Sequence, residues 1–218
     1  MSHIVLGKNE RRTFAVMSGS VNRRTEWLFG RIAAKEAVRR FLQRHCQARW
    51  TDADVEIWAD DSGKPHALGK WNDDEKHDLD LAIAHTAQFV VAVVAARARV
   101  GVDVEAMDRD LSDEFTQGVF GPEEQTLAAG ATNPHAALIR FWCAKEAVSK
   151  ALGTGIRYSP KGLIVDAFRP ETGEMDILLT GAWEENFKMF RGRPIRVSST
   201  IVHGHVVASC FIPASFFE

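Results

Sequence analysis

Apolar residues spaced three and four apart run through 27–42, where Leu28, Ile32, Val38, Phe41 and Leu42 fall on one side of a helix. The same spacing returns over 136–152. Leu138, Phe141, Trp142, Val148 and Leu152 form its stripe, and Gly153 and Gly155 stop it. Elsewhere the period drops to two. Short alternating or continuous apolar runs at 54–58, 81–84 and 89–96 follow the first helix, and runs at 163–168, 175–179, 195–202 and 206–212 follow the second. Val100, Val102 and Val104 alternate within 99–105 and predict one more strand. Long helices, each followed by several short strands, predict an α+β fold.

The order of elements repeats, and so does a short piece of sequence. Ala-Lys-Glu-Ala-Val occurs at 34–38 and again at 144–148, in both cases within a long helix and 110 residues apart. These residue types are common in helices, so the pentapeptide gains its weight from the matching order of elements around it. A duplication predicts two similar halves related by pseudo-two-fold symmetry, each a long helix packed on a small antiparallel sheet. We place the halves at 1–106 and 107–218, with a ligand cleft between them. Such a pseudo-dimer builds its own cleft, which favours a monomer.

Composition narrows the partners. Hydrophobic residues make up 45% and charged residues 26% of the 218, as in ordinary globular proteins. A formal net charge of −2 gives no field to attract nucleic acid or an anionic membrane, so an anionic ligand must be held by local basic groups. No apolar run approaches the roughly 20 residues of a membrane helix. The start, Met1-Ser2-His3-Ile4-Val5, lacks the pattern of a secretory signal, and a cytoplasmic protein is the expectation. Cys46, Cys143 and Cys210 stand at unrelated spacings and read as reduced, mostly buried thiols. The acidic stretch 73–78 reads as a solvated loop.

Chemistry concentrates in two places. On the strand 99–105, Asp103 and Glu105 are two residues apart and project from one face. Adjacent carboxylates repel, and a divalent cation between them resolves the conflict. On the second helix, Trp142, Glu146 and Lys150 follow at i, i+4 and i+8. A Glu–Lys pair on a helix surface is commonplace, but this helix is apolar on either side of it. Metal coordination by Glu146 and phosphate binding by Lys150 would explain both charges. Three carboxylates beside a lysine suit Mg²⁺ carried on a diphosphate, since Mg²⁺ takes few protein ligands and completes its shell with phosphate oxygens and water. His203 and His205 are one residue apart, lack a third ligand, and read as exposed strand residues.

Taken together, several segments resemble the phosphopantetheinyl transferase superfamily, in particular its longer, surfactin-synthetase-activating type. They are Gly63-Lys64-Pro65, Ile83-Ala84-His85-Thr86, Gly101-Val102-Asp103-Val104-Glu105, Phe120 with Glu124, and Trp142-Cys143-Ala144-Lys145-Glu146-Ala147-Val148-Ser149-Lys150, followed by Gly153-Thr154-Gly155-Ile156. The resemblance implies Mg²⁺-dependent transfer of 4′-phosphopantetheine from coenzyme A, the cosubstrate, to a serine of an apo acyl or peptidyl carrier protein, releasing 3′,5′-ADP. Fatty acid, polyketide and nonribosomal peptide pathways all use such carriers. It implies Asp103, Glu105 and Glu146 as metal ligands. Lys150 would hold the diphosphate with Lys145 nearby, and Lys64, Pro65, His85 and Thr86 would shape the coenzyme A site. Arg31 would reach the 3′-phosphate. Glu124 occupies a family acidic position, metal-linked or structural. The expected base is Glu146 or a metal-bound water it orients. No Asp-x-Glu strand follows the second copy, so one working site per chain is expected. A non-catalytic module binding coenzyme A or a carrier protein is the alternative from another class.

Overall fold

The computed structural model describes residues 5–46, 50–69, 71 and 79–217. The first long helix, α2 (Val21–Cys46), follows a short α1 (Lys8–Val16) and precedes the hairpins β1 (Glu56–Ala59)–β2 (Pro65–Leu68) and β3 (Leu79–His85)–β4 (Val90–Ala96). After β5 (Ala98–Ala106) come α3 (Asp113–Val119), α4 (Pro122–Ala129) and the second long helix, α5 (Pro134–Ala151). The remaining elements are β6 (Leu163–Arg169), β7 (Glu174–Leu179), α6 (Ala182–Asn186), β8 (Ile195–Val202) and β9 (His205–Pro213). The fold is α+β and its sheets are antiparallel, as the alternation of periods predicts. The five-stranded sheet has the order β5-β9-β8-β7-β6, and α5 covers it. Helix α2 lies on β3 and β4. No helix among the described residues is long and apolar enough to cross a membrane. The acidic stretch 73–78 lies outside the described residues.

Helix α2 extends beyond the expected 27–42 at both ends, because periodicity sees only the apolar stripe and not the polar turns that continue it. The short helices α1, α3 and α4 have no such stripe and are announced by caps instead. Ser112 Oγ accepts from Phe115 N at 3.2 Å, while the carboxylates of Glu10 and Glu124 take the free N–H groups of Gly7 and Gly121 at 2.7 and 2.9 Å.

Those two glutamates anchor the same device in each half. Lys35, fully buried, donates to the carbonyls of Val5, Asp52 and Val55 at 2.8, 2.9 and 2.6 Å and pairs with Glu10 at 2.6 Å. Lys145, also fully buried, donates to the carbonyls of Val119 and Pro160 at 2.9 and 3.1 Å and pairs with Glu124 at 2.9 Å. Glu10 further accepts from Ile57 N, and Glu124 from Val165 N, both at 2.9 Å. Each clamp thus ties a long helix to the start of a short helix and to a strand. A buried ion pair is tolerable only when its remaining donors and acceptors are satisfied, and here they are. The repeated Ala-Lys-Glu-Ala-Val is the visible part of a repeated internal joint.

The Asp-x-Glu strand lies on the other side of the expected boundary at 106. Along its whole length β5 pairs with β9, from Ala98↔Pro213 to Ala106↔His205. Toward the first half it makes side-chain contact rather than a strand ladder. Val100, Val102 and Val104 pack with Ala82 and Ala84 of β3, and Val100 N donates to the Asp80 carboxylate at 2.6 Å. The acidic strand and the second helix therefore belong to one layer pair rather than to opposite halves facing across a cleft. Nine residues of hydrogen-bonded register decide the matter, and hydrophobic alternation alone carries no information on which edge a strand joins.

Replacing Lys35 or Lys145 by Met leaves a buried carboxylate without its cation. Each substitution should cost about 3–5 kcal/mol of unfolding free energy in urea denaturation followed by circular dichroism. A loss of only about 0–1 kcal/mol, the scale of a surface pair, would remove the clamps from the supports of the fold.

Candidate active site

Helix α5 lies directly on the backbone of β5. A Cβ built on Gly101 would come within 1.8 Å of the Ala147 carbonyl oxygen and 2.7 Å of Ala151 N, so only glycine permits this approach. The contact brings the strand face carrying Asp103 and Glu105 against the helix face carrying Trp142, Glu146 and Lys150. Lys150 Nζ donates to Asp103 Oδ1 at 2.7 Å, and Trp142 Nε1 donates to Glu105 Oε1 at 3.0 Å. Both strand carboxylates therefore project toward α5, as their two-residue spacing predicts.

The electrostatics are those of crowded acids. Burial raises the Asp103 carboxyl above its ordinary range, with Lys150 pulling the other way. Burial first, then the neighbouring Asp103, raises Glu146, which Lys150 and Arg109 partly relieve. Asp103 Oδ2 is buried and has no hydrogen-bond partner among the described residues. Among the described residues no three His, Cys, Asp or Glu side chains already form a metal cage. Mg²⁺ needs none, since one or two carboxylates with phosphate oxygens and water suffice. An orphaned carboxylate oxygen beside two further acids fits that requirement.

Two adjoining clefts open beside this cluster. One, of about 220 Å³, is lined by Lys150, Gly153 and Gly155 at the end of α5 and by Lys64 and Pro65 of the β1–β2 hairpin. The other, of about 340 Å³, is lined by Trp27 and Arg31 of α2 and by His85. Gly63, Pro65 and Ile83 line both, so the two form one groove. Five of the candidate residues, Arg31, Lys64, Pro65, His85 and Lys150, lie around it. Arg31 stacks over the Trp27 ring at 4.2 Å, and burial lowers its pKa. Its Nε is buried without a partner among the described residues. Lys64 is half committed, pairing with Asp80 at 2.6 Å.

Other candidates stand elsewhere. Lys145 is fully buried in its clamp, with its ammonium consumed by Glu124 and two carbonyls, so it is not part of the groove. Glu124 sits in the same clamp, which settles its open reading in favour of structure. The Thr86 hydroxyl accepts from Gln88 N and Phe89 N at 3.3 and 3.1 Å, closing the β3–β4 turn. His205 is buried rather than exposed, stacking on Phe89 at 5.1 Å, with Nδ1 3.0 Å from the His203 carbonyl oxygen. Cys143 and Cys210 are free and buried, as expected; the side chain of Cys46 lies outside the described set. In the first copy of the repeat, Glu36 is held by Arg39 and Arg40 at 3.0 and 2.7 Å. The sequence reading passed over Arg109, whose guanidinium is ion-paired with Glu105. Its position four residues past Glu105 was the available signal.

The site is thus an acidic strand under a Glu-x-x-x-Lys helix, beside a groove carrying cations. A family model described as the 4′-phosphopantetheinyl transferase superfamily matches residues 99–200. The chain is 30% identical over 124 residues to a holo-[acyl-carrier-protein] synthase of Dinoroseobacter shibae, covering 53% of this chain and 89% of that protein. It is 34% identical over 90 residues to a holo-[acyl-carrier-protein] synthase of Bacillus thuringiensis, covering 41% and 71% respectively. The chain belongs to the 4′-phosphopantetheinyl transferase superfamily, and it is an enzyme. Among solved structures, the holo-[acyl-carrier-protein] synthase of Neisseria meningitidis aligns with a TM-score of 0.43 at 24% identity, covering 52% of this chain and 95% of its own.

Glu146 yields a prediction with a definite sign. Its carboxyl is raised in the folded protein above the ordinary 4.5. Its contribution to stability is therefore complete below the unfolded value and is lost as pH rises through the folded value. In protein freed of divalent cations, Glu146→Gln should raise the thermal unfolding midpoint at pH 7. The advantage should vanish as pH falls below the ordinary value, measured by calorimetry across that range.

Proposed function

We propose that the chain transfers the 4′-phosphopantetheine group of coenzyme A to a serine hydroxyl of an apo acyl or peptidyl carrier protein, releasing 3′,5′-ADP. The single observation that carries this reading is the Asp103–Lys150 and Glu105–Trp142 contact of β5 with α5, at the mouth of a groove leading to Arg31. Family membership and relatives named holo-[acyl-carrier-protein] synthase support it.

In this reading coenzyme A lies along the groove. Its 3′-phosphate meets Arg31, its body passes Pro65 and His85, and its diphosphate comes to Lys64 and Lys150. Asp103, Glu105 and Glu146 would hold Mg²⁺, which when bound supplies positive charge to the diphosphate and to the departing phosphate. Lys150, already aimed at Asp103, donates to a diphosphate oxygen and shares that task. The carrier serine gives up its proton to Glu146 as its oxygen attacks the phosphorus that bears pantetheine. The bond from that phosphorus to the oxygen of 3′,5′-ADP breaks. The matching plans of the two halves favour the longer, surfactin-synthetase-activating type working as a monomeric pseudo-dimer.

Incubation with coenzyme A, Mg²⁺ and a set of apo carrier proteins should add the mass of phosphopantetheine to at least one carrier, and Glu146→Gln should abolish the addition while the fold persists. Near-normal turnover in that variant would refute the assignment of the base. A second expectation separates the 3′-phosphate contact from general binding. Arg31→Ala should raise KM for coenzyme A by about 10- to 100-fold, the worth of a charge-assisted hydrogen bond. It should leave KM for 3′-dephospho-coenzyme A nearly unchanged. Equal effects on both cosubstrates would move the 3′-phosphate elsewhere.

A further inference from the structure

Two chain cations divide the acidic cluster between them. Lys150 holds Asp103 at 2.7 Å, and Arg109 holds Glu105 Oε1, the same oxygen that accepts from Trp142 Nε1 at 3.0 Å. Arg109 leaves β5 in a tight turn, its N–H bonded to the Ala106 carbonyl at 3.1 Å. Its guanidinium lies 4.8 Å from the centre of the Phe115 ring and 5.6 Å from that of Trp142. The aromatic cradle keeps the group beside the acids. Its 30% exposure lets it swing into water without opening the core.

The arginine differs from Lys150 in what it can do. Lys150 lines the groove and can turn from Asp103 to a diphosphate without leaving the site. Arg109 does not share that lining; what it does is occupy a carboxylate. A guanidinium stays protonated under all ordinary conditions, so it vacates Glu105 only by moving. Glu105 Oε1 also carries two donors already, which leaves it poorly placed to ligate a cation while both remain.

We propose that Arg109 is a placeholder on Glu105, competing with the divalent cation for that carboxylate and weakening metal binding until coenzyme A is present. Arg109 is thus a positioning residue, acting on the site through Glu105. The diphosphate brings negative charge of its own, which favours the cation over the guanidinium. Metal and cosubstrate would then load together rather than singly, and the acids would not collect stray divalent ions between turnovers. The inference rests on the reading of Asp103, Glu105 and Glu146 as metal ligands.

The experiment measures Mn²⁺ bound to the full chain without coenzyme A, from the electron paramagnetic resonance signal of free Mn²⁺. Wild type, Arg109→Met, Arg109→Lys and Asp103→Asn are compared, each checked for fold by circular dichroism. Arg109→Met should bind Mn²⁺ at least about fivefold more tightly than wild type, the effect of losing a partly exposed charge-assisted pair. Arg109→Lys should stay near wild type, and coenzyme A should narrow the gap. Should Arg109→Met lose its fold, Arg109→Gln takes its place with the same expectation. Unchanged or weaker binding in the neutral variant overturns the proposal and makes Arg109 a brace that orients Glu105. Equal Mn²⁺ binding by wild type and Asp103→Asn, or none by wild type and Arg109→Met alike, removes the metal site itself, a failure of the underlying reading that is distinct from the first.

Discussion

The buried ammonium of Lys145 fixes the second long helix, and the site inherits its geometry from that. A helix advances by about 100° per residue, so once residue 145 is committed inward to Glu124 and two carbonyls, the direction of its neighbour Glu146 is settled. Trp142 and Lys150 follow at one helical turn to either side. The rotation leaves Ala147 facing β5, where Gly101 admits it to van der Waals contact. Clamp and glycine act together: the first sets the rotation of the helix and the second its height above the strand. Asp103 meets Lys150 and Glu105 meets Trp142 because both constraints hold at once.

The first half uses the same clamp for a different end. Lys35 and Glu10 orient α2 as Lys145 and Glu124 orient α5, yet the next residue, Glu36, is spent on two surface arginines. What α2 offers to the groove is cationic and aromatic: Arg31 and Trp27. One joint, built twice, thus holds the acids in one half and a cationic, aromatic wall in the other. The duplicated lysines matter most where a reader of motifs would have assigned them to the ligand. Proximity in sequence to a functional glutamate says little about function, because adjacent residues on a helix face nearly perpendicular directions.

Much of this was legible beforehand, and the limits have physical causes. The two long helices and most strands follow from periodicity, since an amphipathic element must place its apolar residues on one side. That Asp103 and Glu105 share one strand face, and Trp142, Glu146 and Lys150 one helix face, follows from spacings of two and four. The strand partner of β5 did not, because a strand with valines alternating along it satisfies either sheet edge. The roles of Lys145 and Glu124 were hidden for a related reason: a buried ion pair and an active-site ion pair use the same letters. The distinguishing signal lay in Leu6-Gly7-Lys8-Asn9-Glu10 set beside Phe120-Gly121-Pro122-Glu123-Glu124. These are two Gly-x-x-Glu caps, one ahead of each Ala-Lys-Glu-Ala-Val. His205 was misplaced because its ring stacks on Phe89, a neighbour distant in sequence.

The acidic cluster is held together by cations of the chain itself. Three carboxylates on touching faces of a strand and a helix would drive those faces apart. The chain offsets the repulsion with Lys150, Arg109 and the indole N–H of Trp142, and it leaves one oxygen of Asp103 unsatisfied. That residue of instability is the property a cation site requires. Had the acids been fully paired and hydrogen-bonded, as Glu10 and Glu124 are, a metal would gain little by displacing their partners. The contrast between the closed clamps and the open cluster separates, within one chain, charges that build the fold from charges available for chemistry.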